Sequence, residues 1–95
     1  MDNQYYIIRG DRSGVFFGKL GSRNGQEVEI VEARRLWYWS GAASLSQLAA
    51  EGVKDPRNCK FTVTVPQIVI LDAIELIPCA KEAVENIKRV PEWKM

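Results

Sequence analysis

The first forty residues are cut into short β-forming runs by clusters of turn residues, and this punctuation restricts the chain to a small, sharply bent antiparallel sheet. Tyr5 to Arg9 is aromatic and β-branched, and it stops at Gly10-Asp11-Arg12-Ser13-Gly14. Val15 to Leu20 resumes the β pattern until Gly21-Ser22-Arg23-Asn24-Gly25, whose Asn-Gly pair suits the positive φ angles of a tight hairpin. Glu27-Val28-Glu29-Ile30 then alternates, setting Val28 and Ile30 inward, but the apolar phase slips at Val31 and continues through Ala33. A strand has a side-chain period of two, so a phase slip requires an extra residue, and a bulge or strong bend is expected near Val31.

The remainder supplies two helices and further strands. Ser44-Leu45-Ser46-Gln47 fits a capping box, Leu45, Leu48 and Ala49 form a short apolar stripe, and Gly52 fits the position that ends a helix. Lys54 to Asn58 reads as a loop, and Phe61, Val63 and Val65 alternate with Thr62 and Thr64 as a half-exposed strand that Pro66 ends. Ile68 to Ile77 reads as one long, bent strand stopping at Pro78. Ala80, Ala83, Val84, Ile87 and Val90 recur at helical spacing until Pro91, and Trp93 is expected to fold back on the sheet. With 95 residues there is material for one core, hence a single domain over residues 1–95. The fold class is α+β: a small, strongly bent antiparallel sheet or SH3-like barrel, with a short helix after strand three and a C-terminal helix.

Several functions are excluded by what the chain lacks. It has no histidine, which removes the usual general base, the commonest zinc ligand and every Ser-His or Cys-His pair. A net charge of +1 is too small for the electrostatic attraction that dominates duplex nucleic-acid binding. Asp72 and Glu75, three residues apart on a strand, point to opposite faces and cannot work as an acid–base pair. Glu27, Glu29 and Glu32 read as a solvated face, so neither a metal nor a cofactor is implied. Cys59 and Cys79 read as buried structural thiols. No apolar run approaches the roughly 20 residues of a membrane span, and the start, Met1-Asp2-Asn3-Gln4, lacks the basic and apolar regions of a secretory signal. Cytoplasmic localisation, without membrane partners, is the resulting expectation.

What remains is Arg34-Arg35-Leu36-Trp37-Tyr38-Trp39-Ser40-Gly41-Ala42-Ala43-Ser44, which runs from a strand into a helix start. Alternation puts Arg35, Trp37 and Trp39 on one face and Arg34, Leu36 and Tyr38 on the other. Guanidinium groups pair with phosphate and aromatic faces stack on bases, while small residues at Ser40, Gly41 and Ser44 let an anion approach backbone N–H groups. The stretch therefore reads either as a site for an anionic, ring-bearing, nucleotide-like ligand or as the aromatic centre of a core or assembly. Arg9 and Arg12, on the Gly10–Gly14 turn, offer a second, weaker anion site. Homo-oligomerisation is also expected, because Tyr5 to Ile8, Leu36 to Trp39 and Ile68 to Leu71 carry more two-sided apolar surface than one small sheet covers.

Arg9-Gly10-Asp11-Arg12-Ser13-Gly14-Val15-Phe16, Ala33 through Leu45 and Ile70-Leu71-Asp72-Ala73-Ile74-Glu75 together resemble a family of small, uncharacterised single-domain proteins of bacteria and their phages. The resemblance spans nearly the whole chain and carries no activity to particular positions. It implies a phage or prophage origin and, by analogy with phage proteins of this size, a non-enzymatic inhibitor of host defence that binds a host protein or sequesters a nucleotide signal.

Overall fold

A computed structural model describes residues 4–95; Met1 to Asn3, on which the reading of the N-terminus largely rests, lie outside the described residues. The elements are β1 (Tyr5–Gly10), β2 (Val15–Asn24), β3 (Glu27–Tyr38), α1 (Leu45–Glu51), β4 (Lys60–Phe61), β5 (Val65–Ile70), β6 (Ala73–Pro78) and α2 (Lys81–Arg89), with a single 3₁₀ turn at Pro56–Asn58. The strands form one antiparallel sheet in the order β4-β3-β2-β1-β6, with β5 beside β4 on the same edge of β3. The β2–β3 hairpin turns on Gly25 and Gln26, with Asn24 paired to Glu27 as the last strand position. One helix follows β3 and the other follows β6, as the apolar periodicities predict.

The bulge expected near Val31 is present. Lys19 pairs with Val31 and Phe17 with Arg34, so two steps along β2 correspond to three along β3. The extra residue is Glu32, whose φ of 49° lies in the left-handed region. Its carboxylate offsets the cost of that backbone by accepting from the Tyr5 hydroxyl at 2.7 Å and pairing with Lys19 at 2.8 Å. The Lys19 bond and then the Tyr5 bond hold the Glu32 carboxyl below its ordinary range. Gly18 lies opposite, where a Cβ would come within 3.0 Å of the Val31 carbonyl oxygen, so only glycine lets the bulged strand come this close.

Three strand expectations need correction. Ile68 to Ile77 is not one bent strand, because Leu71 and Asp72 break it into β5, bonded to β3, and β6, bonded to β1. Neighbours in sequence thus sit on opposite edges of the sheet, which curls strongly to let a two-residue link join them. Residues 61 to 65 do not make a strand either: pairing stops after Phe61, where Thr62 turns its amide to the Arg35 carbonyl and its hydroxyl to the Arg35 amide. Pro66 does not end a strand but lies within β5, on a sheet edge where its missing N–H breaks no ladder bond.

Two apolar clusters occupy the two faces of the curled sheet. Ile8, Phe16, Val28, Ile30, Ala33 and Ile70 lie on the concave side. Tyr5, Ile7, Phe17, Leu36 and Phe61 meet Leu48 and Ile87 of the two helices on the other. Arg34 crosses into the helix-side cluster, with 2% of its surface exposed. Its guanidinium donates to four carbonyls: Thr62 at 2.9 Å, Phe61 at 3.2 Å, Ile87 at 2.8 Å and Val90 at 3.0 Å. The last two close α2: Ile87 lies in its last turn, its carbonyl also accepting from the Val90 amide at 3.2 Å, and Val90 is its C-cap. Replacing this donor array with an apolar side chain leaves all four carbonyls short of a bond. Arg34→Met is expected to cost about 3–5 kcal/mol, the range for breaking a buried charged network, and to lower the urea midpoint at an unchanged m-value.

Candidate functional site

The stretch from Arg34 to Ser44 divides into an inward half and an outward half. Arg34 is spent on the four carbonyls just described, which removes it as a ligand's phosphate partner. Ser40 donates its hydroxyl to Asp55 Oδ2 at 3.1 Å, and its amide contacts Cys59 Sγ at 3.4 Å. Gly41, at φ 94°, is where the backbone of residues 54 and 55 passes, and a Cβ there would come within 2.6 Å of the Lys54 and Asp55 nitrogens. The close approach that glycine permits is used by the chain itself. Ser44 accepts from the Gln47 amide at 3.1 Å as the cap of α1, and the Gln47 side chain returns to the Ala43 amide at 2.7 Å. That helix has only seven residues.

The outward half comprises Arg35, Trp37 and Trp39. Arg35 stands opposite Phe16 on β2 and lays its guanidinium over that ring, 4.5 Å from the centroid. One of its nitrogens donates to the Ser13 carbonyl. Among the described residues it has no ion pair. Trp39 does not follow Trp37 to the same surroundings: β3 ends at Tyr38, and Trp39 packs against the helix-side core. Trp37 instead remains 63% exposed, stacked on Trp93 with ring centroids 6.3 Å apart and planes 15° off parallel. Trp93 folds back as its position beyond Pro91 predicts, its amide donating to the Phe61 carbonyl at 2.8 Å. Lys60 lies over the Trp93 ring at 5.5 Å. Ser13, Gly14, Val15, Arg35, Trp37 and Trp39 border a concavity of about 300 Å³.

The Gly10–Gly14 turn supplies one wall, and Asp72 sets its shape. Asp72 accepts from the Arg12 amide at 2.7 Å, the Ser13 amide at 3.0 Å and the Ser13 hydroxyl at 2.5 Å. Its own carbonyl takes the Asp11 amide at 2.9 Å. The predicted second anion site is divided: Arg12 borders a second concavity beside Ser13 and Arg35, whereas Arg9 lies on β1 opposite Val15 and Glu75 and borders neither. Two contacts carried no sequence signal, because the bonds of Asp72 to the turn and the stack of Trp93 on Trp37 arise only through long-range folding.

Reactive groups are held apart from this surface. Both thiols are buried, and burial pushes Cys79 up to about 12, far from a thiolate at neutral pH. Among the described residues no group of His, Cys, Asp or Glu gathers as a metal site. No helix is long and apolar enough to cross a membrane.

A family model described as a domain of unknown function, DUF6948, matches residues 3–87. The chain belongs to that family. The DUF6948 match takes in Ser13, Arg35, Trp37, Trp39 and Asp72 and stops short of Trp93. Comparison of this DUF6948 chain with curated proteins and with solved structures gives no match.

The Asp72 clamp has a defined pH dependence. Its bond from the Ser13 hydroxyl, then the Arg12 amide, lowers the carboxyl below its ordinary value, which is about 3.9 in an unfolded chain. Stabilisation by a lowered carboxyl is complete above the unfolded value and is lost as pH falls through the folded one. The Arg12 and Ser13 amide resonances are therefore expected to titrate with a midpoint below about 3.9, and Asp72→Asn removes that titration. A midpoint at or above the ordinary value contradicts the clamp.

Proposed function

We propose that this DUF6948 domain is a non-enzymatic protein-interaction module whose working surface is Trp37, Trp93 and Arg35. The observation that carries the reading is the Trp37–Trp93 stack. Two indoles pack together, yet 63% of Trp37 and 46% of Trp93 stay in water. Contiguous exposed aromatics beside an arginine match the composition of interface hot spots. The strand order, with β5 and β6 joined across two residues, supports an SH3-like barrel as the frame for that surface. Partner docking fits the resemblance to phage proteins, as an inhibitor occupying a host protein in the cytoplasm, and the same surface suits self-association into a homo-oligomer.

A second reading rests on a separate observation. Arg35 has no ion pair among the described residues and borders a concavity that also has Trp37 and Trp39 on its wall. That arrangement suits an anionic ring-bearing ligand, a nucleotide signal included. It ranks second because Arg34, Ser40, Gly41 and Ser44, the expected phosphate-holding groups, are engaged within the fold.

Cross-linking of the full chain in cell lysate, read by mass spectrometry, tests the first reading. Cross-links to a partner or to a second copy are expected through Lys60, which lies over the Trp93 ring, and Lys94, which follows Trp93 in the chain, and Trp37→Ser is expected to lose them with an unchanged circular dichroism spectrum. Cross-links that survive Trp37→Ser unchanged overturn it. Heat on titration with nucleotides or cyclic dinucleotides, absent in Arg35→Ala, decides for the second reading.

A further inference from the structure

The first concavity shares Ser13 and Arg35 with a second one of about 440 Å³. Together they form a groove with tryptophan at one end, a cation in the middle and the exposed aliphatic side chains of Val69 and Leu71 at the other. Ile68 to Ile70 of β5, with Leu71 and Asp72 of the link that follows, line the far wall. Successive strand side chains point to opposite faces, so a wall that takes in three successive β5 residues runs along the edge of that strand. That edge is available: among the described residues β5 bonds to β3 alone.

Resting on the interaction-module reading, we propose that this groove receives an extended polypeptide segment of a partner, in which an acidic side chain meets Arg35 and apolar side chains two positions before and after it fill the two concavities. Three observations select this occupant. An open strand edge supplies backbone donors and acceptors that an added strand satisfies, while pockets for alternate side chains set its sequence. Side chains two positions apart on such a strand lie about 6.6 Å apart on the same face, so with the acidic side chain at the Arg35–Ser13 saddle that both concavities share, its two apolar neighbours on that face fall one to each side. The charge is complementary, because Arg35 has no ion pair among the described residues. Asp72, the acidic group on the far wall, turns its carboxylate into the Arg12–Ser13 turn rather than toward Arg35.

Selection of a random dodecapeptide library on the folded full chain tests this. The expected consensus is an aspartate or glutamate with apolar residues two positions to either side. Selection on Arg35→Glu is expected to exchange the acidic position for lysine or arginine. Leu71→Arg, at a position 71% exposed and so compatible with folding, is expected to erase one flanking apolar preference and weaken the wild-type consensus peptide at least tenfold. A consensus without an acidic position, the same acidic consensus on Arg35→Glu, or no enrichment at all overturns the proposal. If Trp37-dependent cross-links persist in any of those cases, the peptide groove alone is wrong; if they are absent too, the interaction module falls with it.

Discussion

Among the described residues, the fold is organised around one buried cation that has no buried anion. Arg34 is almost fully enclosed, and its charge is met by four carbonyl dipoles. Desolvation lowers its pKa, yet an arginine starts so far above neutrality that it stays charged. Two of those carbonyls close α2, where the helix dipole is negative and favours a cation, and two belong to β4 and its exit. A single side chain thus ties the C-terminal helix to the sheet margin. The consequence extends to the outer surface, because the Phe61 carbonyl that accepts from Arg34 also accepts from the Trp93 amide. Trp93 is placed against Trp37 by a bond whose acceptor is itself held from inside.

The second constraint is the bulge at Glu32, which decides which of two adjacent arginines goes inward. Before the bulge the even-numbered residues Val28 and Ile30 face the concave side, and after it Ala33 and Arg35 do. Without the extra residue the phase would reverse, placing Arg35 among the helices and Arg34 over Phe16. The Glu32–Tyr5–Lys19 contacts are therefore remote from the groove and still determine which guanidinium it contains.

These two facts explain what could be read from the sequence and what could not. The phase slip between Ile30 and Ala33, the Ser44 cap and the α2 stripe were all legible, since each depends on residues close together in the chain; Pro91 made the return of Trp93 legible too, but not its partner Trp37. Strand β3 was legible as carrying arginines on opposite faces, but alternation alone does not say which face is covered by helices. Residues 68 to 77 read as one strand because apolar residues resume directly after Asp72, whereas the break at Leu71 and Asp72 comes from bonds to the Gly10–Gly14 turn some sixty positions away. Likewise Gly41 signals a close backbone approach, but only the fold shows that the approaching group is the chain at Lys54 and Asp55.

The Asp72 contacts also bear on how a groove in so small a domain can remain open. An exposed apolar cleft with mobile walls would collapse on itself, and ordering it on binding would cost conformational entropy for each side chain fixed. Here the turn that forms one wall is pinned by three bonds to the Asp72 carboxylate and one to its carbonyl, Arg35 is laid flat on Phe16, and Trp37 is braced by Trp93. Each wall is held by a contact made behind the surface rather than across it. The entropy of ordering these groups is spent during folding, so a ligand entering the groove meets a surface already shaped, and its contacts with Trp37 and Arg35 convert more fully into affinity.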